Sequence, residues 1–118
     1  MKELRWIASV KDDLLALPAM VVREIGHALY LAQLGTKHSD TKPLRGFGDA
    51  GVLEVVEDFD GNTFRAVYTV RFTKAVYVLH VFQKKSKSGI ATPPKEIDKV
   101  RTRLKRAAEE YEKWQQGK

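Results

Sequence analysis

Three runs of β-forming residues crowd into positions 52–83, and the breaks between them are too short for anything but turns. The run 52–57 leads to Asp60-Gly61, a dipeptide suited to the two positive-φ positions of a hairpin. The runs 63–72 and 76–83 are joined across Thr73-Lys74. Parallel neighbours need a crossover of about a dozen residues or more, so these three runs are expected to form an antiparallel meander.

The flanks read as helix. Residues 4–9 suggest a short opening strand, then 11–17 are helical, with Asp12 and Asp13 suited to a first turn. Pro18 interrupts, and the helix resumes to about Leu34 with Val21, Val22, Ile25, Ala28, Leu29 and Ala32 along one stripe, ending at Gly35. Residues 35–51 and 84–92 read as loops. Thr92-Pro93 suggests an N-cap followed by a first-turn proline. The last helix carries Ile97, Val100, Leu104, Ala107, Tyr111 and Trp114 at alternating spacings of 3 and 4. With 118 residues the chain is expected to be one α+β domain over 1–118: a strand, a helical hairpin, a three-stranded meander and a C-terminal helix. Its helices are expected on one face of the sheet, leaving the other open.

Alternation along the strands sorts their side chains. Phe64, Ala66, Tyr68, Val70 and Phe72 are the apolar set, expected against the helices; Arg65, Val67, Thr69 and Arg71 are expected on the open face. Along 76–83 both sets are mostly apolar, so alternation assigns no face there. An open face rimmed by Arg65, Arg71, Lys84, Lys85 and Lys87 suits phosphate: arginine offers a planar fork and lysine a point charge. Arg65 also has an ordinary alternative, a cross-strand ion pair with Glu54 or Glu57. His80, between Leu79 and Val81, reads first as a satisfied core or rim histidine and second as a catalyst.

Charge points the same way. The net +6 divides unevenly: residues 1–60 hold 7 Lys/Arg against 10 Asp/Glu, and residues 61–118 hold 14 against 5. The basic last helix, including Lys95, Lys99 and Arg103, is either a nucleic-acid contact or a solvated face. The chain has no cysteine, which excludes disulfides, thiolate metal sites and cysteine nucleophiles. No apolar run approaches the ~20 residues of a membrane span, and the N-terminus does not resemble a signal peptide, so a soluble cytoplasmic protein is expected. The three histidines are scattered in sequence and show no metal-ligand spacing. Glycine-rich phosphate loops, zinc-protease motifs and serine elbows are missing. A ribonuclease that uses the RNA 2′-hydroxyl as nucleophile needs none of them. It needs a proton acceptor, cations for the phosphorane and a proton donor for the leaving oxygen. A lysine crowded by other cations has a lowered pKa and suits proton transfer.

Phe64-Arg65-Ala66-Val67-Tyr68, then Val78-Leu79-His80-Val81-Phe82-Gln83-Lys84-Lys85-Ser86, Thr92-Pro93 and the closing basic helix together resemble the RelE/ParE toxin superfamily, and within it the phage-derived, HigB-like branch. The resemblance extends back through Leu44-Arg45-Gly46-Phe47 and Gly51-Val52-Leu53-Glu54. It implies a RelE-like α+β fold and the toxin half of a type II toxin–antitoxin pair. It implies an mRNA interferase acting on translated mRNA at the ribosome without metal or cofactor. A helix-turn-helix antitoxin would be the partner, with operator DNA bound only through the complex. By position, Arg65 matches the strand arginine that faces the scissile phosphate; Lys84 and Lys85 match the basic end of the last strand; Arg45 matches basic residues of the preceding loop. Two departures stand out: Val55-Val56 follow Leu53-Glu54 where many relatives place an arginine, and no C-terminal His-Tyr pair is present. The general base is therefore open among Lys84, Lys85, His80 and Glu54. A gyrase-binding toxin of the ParE type and a non-catalytic binding protein are the alternatives.

Overall fold

The computed structural model describes residues 1–48, 50–84 and 92–117. In chain order the elements are β1 (Glu3–Trp6), α1 (Val10–Leu15), α2 (Ala19–Gln33), β2 (Thr41–Pro43), β3 (Val52–Phe59), β4 (Asn62–Thr69), β5 (Ala75–Lys84) and α3 (Pro94–Gln116). The architecture is α+β, with the expected meander β3-β4-β5 at its centre. The sheet has five strands rather than three, in the order β1-β5-β4-β3-β2. The two strands outside the meander are short, and β1 overlaps the opening strand expected over 4–9. β1 lies parallel to β5, pairing Glu3 with Ala75 through Trp6 with Val78. β2 forms inside the expected 35–51 loop and pairs antiparallel with β3. Three residues containing a proline carry little strand signal; pairing with β3 supplies what local propensity does not.

The turns follow their chemistry. Asp60 and Gly61 both have positive φ, 53° and 80°, between the paired residues Phe59 and Asn62. That is the two-residue hairpin geometry whose twist matches the strands. Gly35, with φ of 86°, ends α2: its N–H bonds Ala32 O and the Thr36 N–H bonds Leu31 O, a Schellman closure. The connection from β4 to β5 is longer than expected, because β4 ends at Thr69.

The largest correction concerns layers. The helices do not share a face. α1 and α2 cover one side, where Val10, Leu14, Val21, Ile25, Ala28 and Leu29 pack on Val55, Phe64, Ala66, Tyr68, Val76, Val78 and Val81. α3 covers the other, where Val100 and Ala107, with Ile97, Leu104, Tyr111 and Trp114, pack on Val52, Val67, Tyr77, Leu79 and Phe82. The apolarity of both sets along β5 is explained: both are core. Phe72, expected on the same face as Phe64, Ala66 and Tyr68, joins the α3 side and stacks on Tyr111 at 4.7 Å, because it lies beyond the end of β4 where alternation no longer holds.

A bulge sets the phase of β5. Val67 pairs with His80 and Tyr68 with Val78, so Leu79 is an extra residue. Leu79 packs into the α3-side core, and His80 also bonds to α3 residues. Beyond the bulge, Val81 faces α1 and α2. Arg65, expected on an open face, is consequently under the α3 layer and only 4% exposed.

Candidate phosphate-binding site

The site forms where the start of β4, the end of β5 and the approach to α3 converge. Glu54 on β3 pairs across from Val67, and Val56 pairs across from Arg65, so Glu54 and Arg65 lie on the same sheet face in diagonal register. Arg65 Nη1 donates to Glu54 Oε1 at 3.0 Å, with both side chains at 5% exposure or less. The Thr92 hydroxyl donates to Glu54 Oε2, and Arg65 Nη1 also donates to Thr92 Oγ1 at 3.4 Å. Of the two acidic partners open to Arg65 from sequence, Glu54 is the one engaged; Glu57, three positions on, belongs to the opposite face. Thr92 does not cap α3. Its hydroxyl bonds Glu54 instead, and Pro93 holds the cap position without a side-chain bond.

Lys84 closes β5, paired with Thr63 and buried. Burial pushes its ammonium below the usual lysine range; the neighbouring Arg65 charge lowers it further and Glu54 partly opposes this. Beside this group opens a cleft of about 350 Å³ lined by Lys42, Pro43, Leu44, Arg45, Glu54, Thr92 and Ile97. Glu54 is buried at the cleft, while Lys42 and Arg45 are exposed. The arrangement offers a cationic rim for phosphate, a buried guanidinium held by a carboxylate, and a lysine whose ammonium lies below its usual range.

His80 is engaged elsewhere. Its Nε2 lies 2.8 Å from Glu96 Oε1 and its Nδ1 accepts from Arg103 Nη1 at 3.2 Å. Burial lowers its pKa; Glu96 opposes this, while the Arg103 and Lys99 charges add to it. Neutral His80 with its proton on Nε2 satisfies both contacts, the satisfied histidine that its apolar neighbours in sequence suggest. Its ring stacks on Phe82 at 4.8 Å, and Phe82 is the residue paired with Arg65. Arg103 also donates to Leu79 O at 3.0 Å, so it ties α3 to the bulge. Lys95 and Lys99 are exposed on α3. Arg71 lies past the end of β4 against the Phe72 ring, away from the Arg65 end of the strand. Lys85 and Lys87 fall outside the described residues.

Sequence reasoning gives Glu54 little weight and misses Lys42 and Thr92 as site residues. Glu54 carries a signal: it is the one acid within the apolar stretch 52–56, and a carboxylate there needs a buried partner. Lys42 and Thr92 carry none, since Lys42 sits on the unexpected β2 and Thr92, just ahead of Pro93, has the pattern of a helix cap.

Among the described residues no helix is long and apolar enough to cross a membrane. Comparison with curated proteins returns no match. The family model for phage-derived Gp49-like proteins (DUF891) matches residues 12–105, spanning α1 through the first part of α3. The chain therefore belongs to the phage-derived Gp49-like family, a RelE/HigB-like toxin-type family.

Proposed function

We propose that the protein is the toxin of a type II toxin–antitoxin pair, of the HigB-like branch and RelE-like in fold, that cuts translated mRNA at the ribosome in the cytoplasm. The observation that carries the reading is the buried Arg65–Glu54–Thr92 group beside a lysine of lowered pKa, at a cleft with a cationic rim. In this reading Lys42 and Arg45 seat flanking phosphates. Arg65, held in orientation by Glu54, stabilises charge on the phosphorane oxygens. Unprotonated Lys84 takes the proton of the attacking 2′-hydroxyl, and Lys85 protonates the departing 5′-oxygen. The reaction leaves a 2′,3′-cyclic phosphate and a 5′-hydroxyl end, with no metal in the step. His80 and Arg103 are positioning residues that fix the bulge and Phe82. The exposed cations of α3, Lys95 and Lys99, contact RNA or ribosome. A helix-turn-helix antitoxin neutralises the protein, and operator DNA is met only through that complex.

The test is to incubate purified protein with a translating reporter mRNA and label new ends. The expected result is 5′-hydroxyl ends inside the coding region that persist in chelator and are lost in Lys84→Met. Absence of new ends with the wild-type protein would overturn the reading. One feature favours an alternative: Arg65 is already engaged by Glu54, which suits a binding protein of this fold, such as a gyrase-directed toxin, that cuts nothing. DNA-damage signalling on expression, with transcripts intact, supports that alternative.

A further inference from the structure

On the opposite side of the sheet, the fold gathers five metal-ligating side chains that lie far apart in sequence. Glu24 and His27 sit one turn apart on α2. His38 and Asp40 belong to the segment just before β2. Glu57 is on β3. Backbone bonds place that segment independently of its side chains: the Thr41 N–H bonds His38 O at 3.1 Å, and the Val56 N–H bonds Asp40 O at 3.2 Å. The His27 and His38 rings meet edge to face with centroids 5.4 Å apart. Two overlapping triads result, Glu24–His27–His38 and His38–Asp40–Glu57, each with one ligand atom per residue within 4.8 Å of the others.

Two observations separate this cluster from an ordinary acidic patch. His38, the residue common to both triads, is 7% exposed, so its ring is fixed by packing rather than solvated. Glu57 Oε2 is buried with no N–H donor among the described residues, and the Glu57 carboxyl meets that of Asp40. Three carboxylates thus converge on one imidazole; among the described residues, Glu24 and Asp40 form ion pairs only with His38. The His38 tautomer is set by its neighbours. The Asp40 N–H points at Nδ1 at 3.0 Å, so Nδ1 carries the lone pair and Nε2 the proton, which faces Glu24 Oε1 at 3.3 Å. An imidazole that offers one nitrogen to a metal and donates the other N–H to a carboxylate is the arrangement that orients histidine ligands.

We propose that this cluster is a divalent transition-metal site of the zinc class, with His38 Nδ1, Asp40 and Glu57 as ligands and Glu24 orienting His38. Imidazole with two carboxylates suits such ions better than magnesium, which prefers an all-oxygen octahedron. The metal takes the Nδ1 lone pair in place of the Asp40 amide and supplies the buried Glu57 oxygen with a partner. It joins the segment before β2 to β3, with α2 tied in through Glu24 and His38, and so acts on stability, on the face of the sheet opposite the Arg65 cleft.

The test uses the full chain, without a histidine tag and stripped by chelator, titrated with zinc chloride or magnesium chloride. Stoichiometric zinc is expected to raise the melting temperature by several degrees while equimolar magnesium does not. Calorimetry is expected to give one zinc per chain. Asp40→Asn and Glu57→Gln should each weaken zinc binding at least tenfold. Asp40 is exposed, so its variant remains informative if His38→Gln fails to fold. No zinc-dependent shift, or wild-type zinc affinity in both Asp40→Asn and Glu57→Gln, overturns the proposal. Loss in His27→Ala with full binding in Asp40→Asn overturns the ligand assignment in favour of the other triad.

Discussion

The chemistry of this protein turns on where single charged side chains are buried. Strand alternation alone places Arg65 on an open surface, where truncation to alanine would leave the fold intact. It is instead bonded to Glu54 beneath α3, so Arg65→Ala strands a buried carboxylate. Breaking a buried pair by removing one partner costs about 3–5 kcal/mol, and urea denaturation of Arg65→Ala should show a loss of that order. Arg65→Lys keeps the charge but loses the planar fork. It should retain most of the stability and lose RNA cleavage, which makes it the better probe of chemistry. A second buried carboxyl gives a pH signature. Burial, a hydrogen bond with the Asp40 carboxyl and the nearby Asp40, Glu24 and Asp58 charges raise Glu57 from 4.5 to about 7. Below pH 4.5 the group is protonated in folded and unfolded chains alike. Between 4.5 and 7 the unfolded chain ionises first, so folding stability falls as pH rises, and the penalty is complete above 7. Glu57→Gln removes it. In chelator at pH 8 the variant should be more stable than wild type by about 1–2 kcal/mol, solvent screening included, with little difference at pH 4.5. Urea melts across that range check the sign.

At the scale of elements, what is legible in the sequence is what local chemistry alone decides. The Asp60-Gly61 hairpin, the α2 stripe closed by Gly35 and the six-residue stripe of α3 all follow from turn preference or periodicity. What is not legible depends on partners distant in sequence. β2 exists because β3 lies beside it. α3 covers the second face because that face is apolar, as both alternating sets along β5 show, but the bulge hides which residue faces which layer: Leu79 is one residue too many, so strict alternation misphases β5 on either side of it. The same bulge brings His80 onto Glu96 and Arg103 rather than into the cleft. The candidate site is half legible for the same reason. Strand alternation singles out Arg65, and the basic end of the last strand singles out Lys84, but Glu54 and Thr92 receive the wrong weight because their roles are set by contact with each other. The metal-ligating cluster is invisible in sequence, since His27 and His38 become neighbours only after α2 turns back at Gly35. Leu79 has no exposed surface, and Leu79→Ala should cost about 2–5 kcal/mol in denaturant unfolding. It should also loosen Arg103 and His80, whose bonds are made to the bulge backbone and side chain.

For the molecule as a whole, the sheet divides two chemistries. The face under α3 holds Arg65, Glu54 and Lys84 beside a cationic rim; the face under α2 holds the His38 cluster with its three carboxylates. This division cuts across the charge imbalance seen along the chain, since Lys42, Arg45 and Glu54 of the first half all belong to the α3 side. It also yields a clean expectation: removing divalent metal should lower stability without stopping RNA cleavage. The central claim is that the α3-side group cuts RNA, and mapping 5′-hydroxyl ends in cellular transcripts after induction of wild type, Arg65→Lys and Lys84→Met tests it most directly. Each variant must first be shown folded by its melting curve. The account predicts new ends within translated regions for wild type and at least a hundredfold fewer for both folded variants. Ends of equal abundance in the folded variants, or none in wild type while growth still stops, would contradict it.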